Sequence, residues 1–569
     1  MTSVHPLHVD NNKEHHTDEV SQERLVVRRG QNFKMTLTLM QSFNPELQHI
    51  RRSSSAKAMW KVEPLTGFSL PSNTVALSVT PPADAPVGEY ELFGKLQEEE
   101  KSLGKLVVLF NPWCSEDSVY LFDDRTRQEY VLNEHGIIFR GSANYIFPGE
   151  WDYGQFEENM VDICLKILDR NHKHDEDPAD DVASRSDPIY VSRVISAMVN
   201  SEDDSGVLEG RWESPYTGGR RPTHWSGSYP ILKQWYQSGC KPVKYGQCWV
   251  FAGVMCSVMR LLGIPCRVVS NFDSAHDVDM NLIIDTYIDY YGVNEDYTED
   301  SIWNFHVWTE GWMKRPDLGS DGEYDGWQVV DPTPQELSDG VFCCGPASVK
   351  GILNGQTGFK YDAPFIFAEV NADCVYYMVS RSRNASFDSD TKRVGKYIST
   401  KAVGSRERED ITNTYKHAEG MSHSVHAVPR WKFVSHCPRC VLLQVSRLIN
   451  GKDVNLNLVL KSKSSDARPL SIHISVQAMN HNGRPTGKIL AEDKEETLLP
   501  GKGDSSSGEM LLIITVCLTC RIPDLKPKNR LRVKFYFVPY KKGEKTLTAD
   551  FDCDTFRDIK ASCTVNVFK

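Results

Sequence analysis

Cys248 stands at the start of an apolar run. The stretch YGQCWVFAG (245–253) leads into WVFAGVMCSVMRLLG, which is hydrophobic nearly all round and reads as a helix buried in a core. Gly263, followed by Ile264 and Pro265, supplies its stop. Gly246 permits a sharp turn just before it. Cys248 thus falls in the first helical turn, where unpaired backbone N–H groups and the helix dipole favour a thiolate and can cradle an oxyanion. A thiolate nucleophile needs a base, and the base needs a carboxylate or amide to fix its tautomer. SIWNFHVW (301–308) alternates, so His306 shares a strand face with Asn304 and Trp308. GWQVVDPTPQE (326–336) reads as a strand that ends at Asp331, before Pro332. Each residue alone has a plain structural reading: a core thiol, as for Cys256, a strand histidine, or a turn-capping aspartate. Together, beside tryptophans that can exclude water, they supply nucleophile, base and orienting group.

A second constellation suits a hard cation. In HDVDMNLIID, Asp277, Asp279 and Asn281 alternate, which offers oxygen ligands at i, i+2 and i+4. It is not an EF-hand, because Leu282 and Ile288 occupy the positions of the required glycine and glutamate. Two CxxC pairs, Cys437/Cys440 and Cys517/Cys520, are the elements of a zinc site. About eighty residues separate them, and the second lies in an apolar strand where both cysteines need not face the same way.

Several elements must position these groups. At 569 residues the chain exceeds one core and predicts three or four domains. From about Glu23 to Phe110 short β-rich runs such as FKMTLTLM and TVALSV, separated by Pro, Gly and Asn, predict a β-sandwich. From Leu109 to about Gly420 helical and strand patterns alternate, as in an α+β core. HAEGMSHSVHAVPR reads as a linker, and strands return from about Trp431. A net charge of -11 argues against sequence-independent nucleic-acid binding, which needs basic patches. The polar first twenty residues lack the apolar core of a secretory signal. The longest apolar run, MLLIITVCL, is too short to span a bilayer. Fifteen scattered cysteines then read as reduced thiols of a cytoplasmic protein.

The motifs YGQCWVFAG, WNFHVW, GWQVVDPTPQE and YDAPFIFAEVNAD resemble those of the animal transglutaminases, closest to the tissue and epidermal types. The resemblance implies a multidomain chain. Its parts are an N-terminal β-sandwich (1–110), an α+β papain-like catalytic core (111–420), a linker (421–432) and C-terminal β-barrel or sandwich domains. The last look shortened, with a partial first domain over 433–523 and a remnant of a second over 524–569. The sandwich also looks short between Ile50 and Val75. The implied triad is Cys248, His306 and Asp331. The implied reaction is calcium-dependent acyl transfer from a protein glutamine to a lysine or polyamine, through a cysteine thioester, with release of ammonia. By position Trp212 is the oxyanion indole, and Trp249 and Trp303 stand near the reactive centre, Trp303 as a tunnel wall.

Three Ca2+ sites are implied. One uses Asp277, Asp279, Asn281 and Asp300, with the Ile283 carbonyl as a further donor. A second uses Asn200, Asp204 and the carbonyls of Ala197 and Glu202. The third uses Asn371, Asp373 and Glu419, but Ser424 stands where the family has another glutamate, so this site is weakened or rebuilt. Adjacent Cys343 and Cys344 are a redox candidate, because the family can form a vicinal disulfide there. Two other readings compete. One is a catalytically impaired scaffold member of the same family. The other is a cysteine protease, but His306 follows Cys248 by 58 residues, far less than the roughly 130–150 of papain-like proteases.

Overall fold

The computed structural model describes residues 3–40, 60–65, 71–96, 99–202, 205–289, 292–293, 296–378 and 385–417, and beyond these the backbone of strands between 439 and 567. The chain divides into two compact units, Met1–Ala427 and Val428–Lys569.

The first unit opens with a sandwich of two sheets. One sheet orders Ser3–His5, Phe33–Thr38, Thr74–Thr80 and Lys61–Pro64. The other orders Leu25–Arg28, Glu99–Leu109 and Gly88–Leu96. A strand sends successive side chains to opposite faces, so Phe33, Met35 and Leu37 turn inward and meet Leu77, Val27 and Val108 in one core. Residues 50–59 and 66–70, within the stretch expected to run short, lie outside the described residues.

A buried charge pair fastens this sandwich to the α+β core. Arg29 Nε and Nη2 both donate to the Asp117 carboxylate at 2.7 Å, and Nη1 donates to the carbonyls of Ala85 and Ser186. Both side chains are buried. Removing one partner would strand an unpaired charge in a medium that cannot solvate it. Asp117→Ala should therefore destabilise this unit by about 3–5 kcal/mol, read as a lowered denaturant midpoint. Glu63→Ala, at the exposed pair with Lys61, should change it by less than about 1 kcal/mol.

The core is built on a six-stranded antiparallel sheet. Its order is Cys344–Ser348, Gly326–Asp331, Ser301–Met313, Cys266–His276, Lys396–Lys401 and Arg408–Asp410. The helix Cys248–Leu262 is buried along its whole length and shares one hydrophobic cluster with the helices Met160–Leu168 and Pro188–Val199. Its one cation, Arg260, is tolerated because the guanidinium spends itself on the carbonyls of Cys266 and Asn133. Gly263 ends the helix at φ 95, a left-handed conformation that costs a glycine little.

Gly246 plays a different part from the one expected. Its backbone does not adopt a positive φ. A Cβ there would meet Leu208 Cδ2 at 2.4 Å, so the glycine permits close strand packing just before the helix, not a turn.

The second unit holds two larger sheets. One orders Arg439–Val445, Val454–Ser462, Arg530–Phe537 and Ser506–Ser507. The other orders Leu490–Glu495, Val516–Leu525, Arg468–Val476, Gly543–Cys553 and Phe556–Val567. Val454–Ser462 pairs with Arg530–Phe537, and Arg468–Val476 pairs with Gly543–Cys553, so early and late strands of this unit share sheets. Cys440 lies in the first of these sheets and Cys517 and Cys520 in the second; Cys437 lies outside the described residues.

Candidate active site

The register of the central sheet decides where the site residues meet. Ser301–Met313 pairs with Cys266–His276 from Cys266↔Gly311 to His276↔Ser301, which sets His306 opposite Asn271. On its other side it pairs with Gly326–Asp331, whose last residue is Asp331. His306 Nε2 and Asp331 Oδ2 lie 2.6 Å apart, both buried. Asp331 is itself held: Oδ1 accepts from the Thr333 backbone N–H at 2.9 Å, and its carbonyl accepts from Ser196 Oγ at 2.6 Å.

With Nε2 committed to Asp331, the other nitrogen, Nδ1, has no hydrogen-bond partner at bonding distance. Nδ1 is thus the ring nitrogen free to meet a thiol, and hydrogen bonds of this kind commonly tighten only when substrate binds. Burial works against the charged imidazole. Asp331, joined by Cys248 and Glu369, outweighs it and raises the His306 pKa well above the usual histidine value.

Glu369 and Gln335 complete this cluster and carried no sequence signal beyond their place inside quoted motifs. Gln335 Nε2 lies 3.0 Å from His306 Nε2, 2.9 Å from Asp331 Oδ2 and 3.2 Å from Glu369 Oε1. Burial pushes Glu369 up to about 8 even though the His306 cation opposes it. His276 Nε2 and Glu336 Oε1 stand 3.0 Å apart nearby.

At the other side of the reactive centre, Cys248 begins its helix after Gln247 in an extended conformation. The Val250 N–H already donates to the Gln247 carbonyl at 2.8 Å, but the N–H groups of Cys248 and Trp249 have no carbonyl of their own helix to bond. Three indoles surround this end. Trp212 is 43% exposed and lies 6.4 Å from both Phe251 and Trp303. Trp303 stands edge-on to His306 at 5.2 Å. Trp249 is buried, 6.0 Å from Phe305, and its Nε1 has no hydrogen-bond partner.

The acidic loop is gathered by the same sheet. Asp277 directly follows the strand Cys266–His276, and Asp300 directly precedes Ser301–Met313, so the pair His276↔Ser301 sets the two aspartates side by side. Oxygens of Asp277, Asp279 and Asp300 lie within 4.8 Å of one another. Burial, with Asp279 close by, pushes Asp277 up to about 8; burial raises Asp300 to about 6. Three carboxylates that resist sharing negative charge are a donor set that fits a hard divalent cation. Asn281 stands in the same loop, its Nδ2 donating to Asp279 Oδ2 at 2.9 Å.

The other implied ligands are less assembled. Asn200 caps the helix Pro188–Val199, which contains Ala197. Its Oδ1 accepts from the Glu202 N–H at 3.0 Å, and its Nδ2 donates to the Phe342 carbonyl at 2.8 Å. Asp204 lies outside the described residues. Asn371 ends the helix Ala363–Asn371, and Asp373 begins the strand Asp373–Met378, paired with Ile283 beside the acidic loop. Glu419 and Ser424 lie outside the described residues. Cys343 and Cys344 are buried thiols. Burial lifts Cys343 to about 11 and Cys344 well above the usual thiol value, and Cys344 pairs with Asp331 across the sheet.

Two family models match this chain: one for the N-terminal domain of the transglutaminase family over residues 2–97, and one for the core of the transglutaminase-like superfamily over 219–332. The second span contains Cys248, His306, Asp331 and the whole acidic loop. The human protein-glutamine gamma-glutamyltransferase 5 is 42% identical over 555 residues, covering 86% of this chain and 77% of that one. The chain belongs to the transglutaminase family.

A second human transglutaminase, protein-glutamine gamma-glutamyltransferase E, is 37% identical over 678 residues, covering 98% of both chains. That alignment exceeds the 569 residues of this transglutaminase by 109, so internal segments of the relative have no counterpart here. Among solved structures, the red sea bream transglutaminase matches with TM-score 0.69 and 32% identity over 100% of both chains.

Proposed function

We propose that this transglutaminase is a calcium-dependent protein-glutamine gamma-glutamyltransferase that works through a cysteine thioester. The observation that carries the reading is the divided imidazole of His306: Nε2 is bonded to buried Asp331, while Nδ1 is left for the Cys248 thiol. In the first half-reaction the Cys248 sulfur attacks the carbonyl carbon of a glutamine side chain. The first-turn N–H groups receive the oxyanion, with the Trp212 indole beside them. The C–N bond then breaks as the His306 Nδ1 proton passes to the departing ammonia. In the second, a neutral lysine or polyamine nitrogen attacks the thioester, gives its proton to Nδ1, and the C–S bond breaks to return the thiolate. Trp212, Trp249 and Trp303 line the approach with apolar surface, which favours a neutral amine and keeps competing water away from the thioester.

Asp277, Asp279, Asn281 and Asp300 would hold a calcium ion, which would supply the positive charge that the clustered carboxylates lack. Asn200 with Ala197 and Glu202, and Asn371 with Asp373, are candidate ligands of two further ions. Cys343 and Cys344 are candidates for a redox response. In the described residues no helix is long and apolar enough to cross a membrane, and a cytoplasmic setting accords with the free thiols.

Labelled-amine incorporation into a glutamine-rich protein, with calcium and with chelator, tests this reading. Incorporation that is equal with chelator would sink the calcium dependence. Asp300→Asn should raise the calcium concentration for half-maximal activity by roughly ten-fold or more, since it removes one anionic ligand. No particular observation favours the scaffold alternative.

A further inference from the structure

Arg140 has no place in the mechanism above, yet it stands beside the nucleophile. It lies in the hairpin of His135–Ser142 and Tyr145–Asp152, directly opposite Phe147. Its guanidinium sits over the indole of Trp249, 5.1 Å from the ring centroid, and 5.6 Å from that of Phe147. Trp249 is the residue after Cys248. The space for this cation is built in: a Cβ on Gly149, across the hairpin, would lie 2.5 Å from Arg140 Nη2, so any larger residue there would displace it.

The cation so placed is unpaid in charge. Among the described residues Arg140 makes no ion pair, and its buried Nε has no hydrogen-bond partner. The neighbouring acid, Glu150, is taken by Arg406. Burial makes the charge on Arg140 less favourable, and Cys248 is the group that offsets this. In the proposed mechanism this compensation vanishes on acylation, which converts the attacking thiolate into a neutral thioester. A guanidinium fork left without an anion in a partly buried site is a receptor for a planar carboxylate. The rim beside it is apolar and open, with Tyr145 72% and Phe147 38% exposed, so a peptide bearing the reactive glutamine has both contact surface and a charge to meet.

We propose that Arg140 is a specificity-determining residue that pairs with a carboxylate flanking the reactive glutamine of the protein substrate. The inference rests on the transferase reading, and it has a consequence that does not. An anionic electrophile should be drawn to Cys248 over a neutral one of the same size.

The test uses the full chain with calcium present and two readouts. In the first, a glutamate is walked through the positions flanking glutamine in a short peptide, with alanine and lysine series for comparison and one fixed amine. At the recognised position glutamate should raise kcat/KM over alanine by roughly five- to ten-fold, and lysine should lower it. Arg140→Gln should flatten the series, and Arg140→Lys should retain part of it. In the second, the rates of Cys248 alkylation by iodoacetate and by iodoacetamide are compared by mass spectrometry. Their ratio should fall several-fold in Arg140→Gln and less in Arg140→Lys. A flat wild-type series, or one unchanged in Arg140→Gln, overturns the proposal. If the wild-type chain incorporates no amine with any peptide, the transferase reading falls and the alkylation ratio decides alone: an unchanged ratio in Arg140→Gln then overturns anion recognition by Arg140.

Discussion

Cys248→Ala should abolish labelled-amine incorporation, with a loss on the order of 10^4 or more in kcat, because in the proposed mechanism Cys248 alone forms the acyl intermediate. The loss should come without unfolding. Cys248 lies at the start of its helix and contributes one small side chain to a large apolar cluster, so a change to alanine, the strongest helix former, leaves the packing largely intact. Thermal unfolding and near-UV circular dichroism check that point. The same variant should lose the fast-labelling thiol when treated with iodoacetamide. Incorporation within ten-fold of the parent, from a folded preparation, would remove Cys248 from the role of nucleophile.

Asp331→Asn is the second large effect, and it carries a signature in pH. Asp331 is the strongest influence raising the His306 pKa. With an amide in its place the imidazole loses both the opposing charge and the fixed tautomer, and kcat/KM should fall by a factor on the order of 10^3 to 10^4. The direction of the pH change follows from which form works. In the proposed mechanism the protonated imidazole delivers a proton to the departing ammonia. A raised pKa keeps that form present to higher pH, so its loss moves the basic limb of the profile toward lower pH. The same group contributes stability that is fully present below the ordinary histidine value and lost as pH rises through the raised one. The variant should therefore lose its stability advantage at low pH. A drop in rate with an unmoved basic limb would mean that Asp331 only fills space.

Much of the site was legible because it depends on local pattern. An apolar run capped by Gly263 defines a buried helix, so Cys248 at its start was placed by periodicity alone. Pro332 stops a strand, so Asp331 was placed at a strand end. The acidic loop was readable from alternation, and its fourth member Asp300 through the family resemblance. Other features depend on contacts that spacing does not encode. Gly246 looked like a turn residue, but its smallness serves the approach of Leu208, which lies on another strand. Arg140 precedes Cys248 by more than a hundred residues, and only the hairpin brings it onto Trp249. Glu369 and Gln335 gain their chemistry from burial beside His306. In the second unit, alternation identified strands but not their partners, such as the pairing of Val454–Ser462 with Arg530–Phe537.

The acidic loop and the catalytic base share one piece of hardware. Ten paired positions run from Gly311 to Ser301 against Cys266 to His276, with His306 in the middle and the aspartates at the end. If the acidic loop holds calcium as proposed, the spacing the ion prefers is set by the same register that locates the imidazole. Substitutions deep in the sheet, such as at Val269 or Trp308, would then shift the calcium response while leaving every proposed ligand in place. Under that proposal a variant's calcium sensitivity would be a gauge of strand alignment, readable from outside an otherwise silent interior.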